Sequence, residues 1–182
     1  MRVLVTGACG MLGTLVVSTL QGRHEVIPAD IRQGCELVDI ADTASVFDTM
    51  NRYRPEMVIH CAAMTDVDGC EVDPDGAFKV NAVGTWNVAC AAASMDCAVA
   101  YVSTDYVFDG QKGSPYTEFD TPNPLGVYGA SKLAGEQAVR ELCSKHFIVR
   151  TSWLFAPHGK NFARTIADAA AKRAEAGEAD KP

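Results

Sequence analysis

Short apolar runs alternate along the chain with longer stretches in which apolar residues recur every three or four positions. Arg2-Val3-Leu4-Val5-Thr6 is a β-branched apolar run, the pattern of a strand buried on both faces of a parallel sheet. Leu12, Leu15, Val16, Thr19 and Leu20 then fall at helical spacing. The same reading predicts strands over 25–29, over a short segment 35–38, and over 57–63, 98–102 and 147–151. Helices are predicted from Asp42 or Thr43 to about Arg52 and from Tyr128 to about Cys143, with a last one starting near Asn161. Between them, Pro74 opens a single alanine-rich helix to Met95, with Phe78, Ala82, Thr85, Val88 and Ala92 on one stripe. There are no internal repeats. Such alternation predicts an α/β, Rossmann-type doubly wound parallel sheet with helices on both faces.

Candidate chemistry sits where these elements meet. Gly7, Gly10 and Gly13 fill the turn between the first strand and the first helix. Glycines there let the backbone turn sharply and approach a pyrophosphate, whose charge rests on the helix N-terminus. The spacing is G-x-x-G-x-x-G, so the turn is expected to differ in shape from the G-x-G-x-x-G fingerprint. Asp30 ends the second strand, where a carboxylate can take the adenosine ribose hydroxyls, and Arg32 nearby could accommodate a 2′-phosphate. Ligands of such sheets bind beyond the carboxyl ends of the strands, so Gly7, Asp30, Ala62, Thr104 and Trp153 are expected to share one crevice. Tyr128 and Lys132 stand four residues apart, on one helical face. An ammonium beside a phenol is expected to lower the phenol's pKa, as a general acid/base requires. Residues 109–126, rich in Gly, Pro, Ser and Asp, suit a loop over a site. The acidic residues Asp66, Asp68, Glu71, Asp73 and Asp75 read as a solvated face and a helix start.

Composition narrows the partners. Hydrophobic residues make up 48% of the 182, enough for a sizeable core, and the formal net charge is −7. No Lys/Arg cluster exceeds two neighbours, which argues against a nucleic-acid partner. Seven cysteines without a C-x-x-C pair point to a reducing compartment, with neither a disulfide framework nor a zinc site. The four histidines are dispersed, and no metal is expected. Neither a signal peptide nor a membrane-spanning run is apparent, so a soluble cytoplasmic protein is the expectation. Residues 1–168 read as the dinucleotide-binding domain. Residues 169–182 keep little apolar pattern and are expected to fray.

Taken together, the chain resembles the extended short-chain dehydrogenases/reductases, and more narrowly the dTDP-4-dehydrorhamnose reductase family. The narrow likeness rests on Cys61-Ala62-Ala63-Met64-Thr65-Asp66-Val67-Asp68, on Ser103-Thr104-Asp105-Tyr106-Val107-Phe108-Asp109-Gly110 and on Arg150-Thr151-Ser152-Trp153-Leu154-Phe155. The resemblance implies reduction of the C4 keto group of a dTDP-sugar by NADPH or NADH, serving surface-polysaccharide synthesis. It implies cofactor contacts from Gly7, Gly10, Met11, Leu12, Gly13, Asp30, Asp39, Ile40, Ala62, Ala63, Met64, Thr65 and Val102, together with Tyr128 and Lys132. Tyr128 would protonate the C4 oxygen, Lys132 would bind the nicotinamide ribose, and Thr104 would hydrogen-bond the same oxygen. Asp105 and Trp153 would contact the sugar nucleotide. A homodimer is a possible assembly, and the C-terminal substrate lobe that such enzymes carry is expected to be largely absent. Other readings stay open: another nucleotide-sugar reductase or epimerase, or a regulatory dinucleotide binder resembling that of methionine adenosyltransferase. A short form that holds cofactor without turnover is the last of them.

Overall fold

Val3 and Val5 point to one side of the first strand and Leu4 to the other, and all three are buried. Both faces of that strand are therefore covered, which explains its unbroken apolar run. A computed structural model describes residues 1–159 and 161–175. Six strands, β1 (Arg2–Thr6), β2 (Glu25–Asp30), β3 (Glu36–Leu37), β4 (Met57–His60), β5 (Ala98–Thr104) and β6 (His146–Thr151), form one sheet in the order β3-β2-β1-β4-β5-β6. Every pairing is parallel. The chain winds outward to β3 and then returns to β4 on the other side of β1. That reversal opens a crevice at the carboxyl edge between β1 and β4.

One face of the sheet carries α1 (Met11–Leu20), whose Val16, Val17 and Leu20 pack on Val3, Val5 and Ala8. The larger core lies on the other face. There Val46 and Met50 of α2 (Thr43–Tyr53), Val88 and Ala92 of α5 (Thr85–Ser94) and Val139 of α6 (Val127–Leu142) close over Leu4, Val58, Val99 and Tyr101. Asp42 caps α2 by accepting a hydrogen bond from the Ala44 amide (3.0 Å). The acidic run extends across two short helices, α3 (Val67–Val72) and α4 (Pro74–Phe78), and Asp73 between them caps the second.

Two expectations need correction. The helix predicted from Pro74 to Met95 is not uniformly α. Between α4 and α5, Lys79–Gly84 form a π turn, which accommodates one extra residue in the helical cylinder. Phe78 consequently leaves the buried stripe and is exposed, while Thr85, Val88 and Ala92 stay inside. At the other end, α7 (Phe162–Glu175) continues through residues that were predicted to fray. Alanine, lysine, arginine and glutamate are strong helix formers even without an apolar stripe. The rest of the predicted tail lies outside the described residues. The chain divides into two compact units, the first Met1–Ser152 and the second from Trp153 onward, a division earlier than the 168/169 boundary read from composition.

Candidate functional site

The glycine turn is built by close approach. Gly7 takes φ +68°, and a Cβ there would stand 2.7 Å from the Ala62 backbone nitrogen. A Cβ on Gly13 would collide with the Gly7 carbonyl and the Ala8 backbone. The turn is closed by Gly10 N–H donating to the Gly7 carbonyl (3.0 Å). Gly10 caps α1 without a side chain, and the first turn holds no acidic residue. The amides of Met11, Leu12 and Gly13 thus begin a helix with no side chain over its positive end. This cradle, kept open by missing side chains, fits a pyrophosphate.

Asp30 braces that turn. Its Oδ2 accepts from Cys9 N–H (2.9 Å) and its Oδ1 from Arg32 N–H (3.1 Å). The Arg32 guanidinium donates to the Cys9 carbonyl (3.2 Å). Asp30 is therefore a structural anchor of the loop in addition to standing where a ribose acid is expected.

Two buried asparagines, which the sequence reading did not single out, fix the neighbouring loops. Asn81, in the π turn, accepts from Met64 N–H through Oδ1 (2.8 Å) and donates to the Met64 carbonyl through Nδ2 (2.9 Å). The same amide donates to Ser131 Oγ (3.0 Å), whose hydroxyl donates to the Tyr128 carbonyl (2.9 Å). Asn87 donates to the Ile40 carbonyl (2.9 Å) and accepts from Thr43 Oγ1 (3.1 Å). The segments Asp39-Ile40 and Ala62-Ala63-Met64-Thr65 are thereby held at the carboxyl edge. Polar amides at two positions of an otherwise apolar, alanine-rich helix were the available signal.

A chain of hydrogen bonds runs beneath them. The Ala62 amide donates to Thr6 Oγ1 (3.4 Å), which is paired with His60 Nδ1; His60 Nε2 meets Thr85 Oγ1 (3.1 Å), and Thr85 donates to the Asn81 carbonyl (2.7 Å). Since Thr85 spends its hydrogen on Asn81, Nε2 of His60 is the protonated nitrogen and Nδ1 accepts from Thr6. Burial, aided by the nearby Lys132 charge, pushes the imidazole down to about 3, so it is neutral.

Tyr128 and Lys132 come to the edge on α6. Gly129 lets the first turn of α6 lie on the single 3₁₀ turn Asp105–Val107, because a Cβ would strike the Tyr106 carbonyl. The Tyr106 and Tyr128 rings meet edge to face, 5.6 Å apart. Thr104 Oγ1 donates to Asp105 Oδ1 (3.1 Å) and accepts from Tyr106 N–H (3.2 Å). Ser103, by contrast, is turned inward and donates to the buried Glu136 carboxylate (2.6 Å), leaving Thr104 as the hydroxyl at the strand end.

The pKa expectation fails in its simple form. Burial raises Tyr128, with the adjacent Thr104 hydroxyl pulling the other way and Cys70, Asp105 and Tyr106 adding to the rise. Lys132 is not among these influences. Its Nζ is turned down to the Val102 carbonyl (2.7 Å), and burial lowers its own pKa to about 7. Helical spacing places the two on one face, but the depth of the lysine head is set by tertiary packing.

The first unit thus brings Gly7, Gly10, Asp30, Ala62, Thr104, Asp105, Tyr128 and Lys132 to the carboxyl side of one sheet. Trp153 belongs to the second unit. It takes φ +52°, uncommon for a bulky residue, and its exposed indole stands edge to face with Phe162 at 4.8 Å. Among the described residues no group of three or more metal-ligating side chains is assembled, and no helix is long and apolar enough to cross a membrane.

The sequence matches the family model described as the RmlD substrate binding domain over residues 1–179. It is 41% identical to a dTDP-4-dehydrorhamnose reductase of Aggregatibacter actinomycetemcomitans, over 91% of this chain and 55% of that protein. A dTDP-4-keto-6-deoxy-D-glucose reductase of Streptomyces niveus is equally similar, 41% identical over 91% of this chain and 57% of its own length. Among solved structures, the dTDP-4-dehydrorhamnose reductase of Bacillus anthracis in complex with NADP superposes with a TM-score of 0.90 and 43% identity, covering 94% of this chain and 60% of that one. The chain therefore spans a little over half the length of the curated relatives it matches.

Proposed function

Because the chain belongs to the RmlD substrate binding domain family, we propose that it reduces the C4 keto group of a dTDP-4-dehydro-6-deoxy sugar, with dTDP-4-dehydro-L-rhamnose as substrate and dTDP-L-rhamnose as product. The observation that carries this reading is the laying of Tyr128 beside Thr104 on the same sheet edge as the glycine cradle. Gly7, Gly10, the α1 amides, Asp30 and the 39–40 and 62–65 loops would hold NADPH or NADH, which would supply the hydride for the carbonyl carbon. The chain's own residues then manage the oxygen. Tyr128, kept protonated by burial, gives its phenolic proton to that oxygen as negative charge develops. Thr104 donates a hydrogen bond to the same atom, turning its hydroxyl away from Asp105. Lys132 would supply positive charge to the nicotinamide ribose, and Asp105, exposed beside Thr104, would contact the sugar.

Stoichiometric oxidation of NADPH or NADH by the chain in the presence of dTDP-4-dehydro-L-rhamnose is the test. Tyr128→Phe should cut turnover by about 10²-fold or more while leaving cofactor affinity nearly unchanged. Cofactor binding without any oxidation would overturn the catalytic reading in favour of a dinucleotide-binding module. The Streptomyces niveus relative supports a second substrate, dTDP-4-keto-6-deoxy-D-glucose, equally well by identity. Running both sugars side by side, and comparing their kcat/KM values, decides between them.

A further inference from the structure

Lys132 is 2% exposed, yet no carboxylate lies within ion-pair distance of its ammonium among the described residues. A buried charge without a counter-ion is costly unless other groups replace its water. Two do so here. The Val102 carbonyl accepts one N–H (2.7 Å), and the Tyr101 ring lies under the head, with Nζ 4.2 Å from its centroid. That distance is well inside the range of a cation–π contact, which strengthens where water is excluded. Tyr101 is fully buried, and it also reaches the root of the same lysine: its hydroxyl donates to the Lys132 carbonyl (3.3 Å). Gly135, three residues on, makes this possible, because a Cβ there would stand 2.5 Å from the Tyr101 hydroxyl oxygen. The ring is held in turn by the His60 imidazole stacked on it, centroids 5.5 Å apart and planes 27° from parallel.

From this geometry we infer that Tyr101 is a positioning residue for Lys132, gripping it by its main-chain carbonyl at one end and by a cation–π contact at the other. The ring favours the ammonium over the free amine, and so holds positive charge in a place from which burial would otherwise expel it. The other groups that bear on that charge are Cys61 past the end of β4 and Glu136 one turn along α6, both favouring the ammonium, with burial opposing it and lowering the head to about 7. His60 on β4 is neutral and adds no charge. The consequence for catalysis rests on the role assigned to Lys132 above; the contact itself does not.

The experiment is a pH titration of the Lys132 side-chain carbons by NMR in the ligand-free chain carrying ¹³C-lysine, with Lys132→Met identifying the resonance. Tyr101→Leu removes the ring, and its midpoint should fall by roughly half to one and a half pH units. Tyr101→Phe keeps the ring and should stay within about 0.3 of a unit of the parent. If Tyr101→Leu fails to fold, pentafluorophenylalanine at position 101 keeps the shape, reverses the ring's quadrupole and should lower the midpoint likewise. Unchanged midpoints in the leucine and fluorinated variants would overturn the inference. In parallel, the alkaline limb of kcat/KM should move down with the midpoint in Tyr101→Leu. Should Lys132→Met leave cofactor affinity and turnover intact, the role of Lys132 falls while a shifted midpoint still establishes the Tyr101 contact.

Discussion

Asn81 grips the peptide group on each side of Met64, accepting from its N–H and donating to its carbonyl at 2.8 and 2.9 Å. A side-chain amide carries an acceptor oxygen and a donor nitrogen side by side, so it can do both at once. Its second amide hydrogen ties the same residue to Ser131 on the helix of Tyr128. The 62–65 loop and the helix of Tyr128 therefore share one buried anchor.

Asn81→Ala should weaken NADPH binding about tenfold and lower stability by roughly 1–3 kcal/mol, since two part-buried backbone groups lose their partners. Fluorescence titration of NADPH and urea unfolding measure the two effects. Parent-like affinity in a folded Asn81→Ala chain would show that the 62–65 loop needs no anchor.

Gly13→Ala should abolish dinucleotide binding, because the new methyl meets backbone on both the Gly7 and Ala8 sides and neither can yield without moving α1 off β1. Gly22→Ala is the matched control. It meets open space, pays only for its φ of +86°, on the order of 1 kcal/mol, and should bind cofactor normally. Equal affinities for the two variants would show that the glycine turn does not hold the dinucleotide.

His60 should give the protein an acid-sensitive step. Its imidazole ordinarily titrates at 6.5 but is held down to about 3 in the fold, so the unfolded chain takes up the proton first. The stability contributed by neutral His60 is complete above 6.5 and drains away as pH falls toward 3. The expected slope is about 1.4 kcal/mol per pH unit between roughly pH 6 and pH 4. His60→Gln, which can still accept from Thr6 and donate to Thr85, should flatten that slope. Urea unfolding across this range decides the matter, and a parallel pair of curves would refute it.

Arg150 forks onto Glu136, Nε to Oε1 at 2.9 Å and Nη2 to Oε2 at 2.6 Å, while its guanidinium lies over the Phe108 ring at 4.8 Å. Arg150→Met should cost about 3 kcal/mol, since it leaves the buried carboxylate with only the Ser103 hydroxyl (2.6 Å) and the more distant Arg140 (3.8 Å). Adding Glu136→Met should recover most of the loss, and a double-mutant cycle from thermal or urea unfolding reads the coupling. Additive losses would mean that the pair is not coupled.

The strands and the edge they define were legible because β-branched apolar runs report burial on both faces, as at Val3-Leu4-Val5 and Val99. Gly7 and Gly13 were legible because their need for close backbone approach leaves glycine as the residue that fits. The π turn was not, since Lys79-Val80-Asn81-Ala82-Val83-Gly84 differs from an α-helical stretch in no single residue; the extra residue is absorbed by packing. Nor was the depth of Lys132. Its spacing to Tyr128 is a local fact, whereas its burial depends on Tyr101 and Val102, more than 29 positions away. Asn81 and Asn87 went unremarked because the loops they hold are bound through backbone groups at Met64 and Ile40, distant in sequence and without a side-chain signature.

The π turn also makes this stretch of the gene a counted one. Deleting a single codon between Lys79 and Gly84 would remove the extra residue and restore ordinary α winding, keeping the face of α5 but abolishing the widened turn that sets Asn81. The two asparagines could then no longer serve the 62–65 and 39–40 loops together. Point substitutions on the outer surface, at Lys79 or Val83, leave that count untouched. Reading-frame-preserving loss of one residue does not, so this helix should tolerate changes of spelling far better than a change of length.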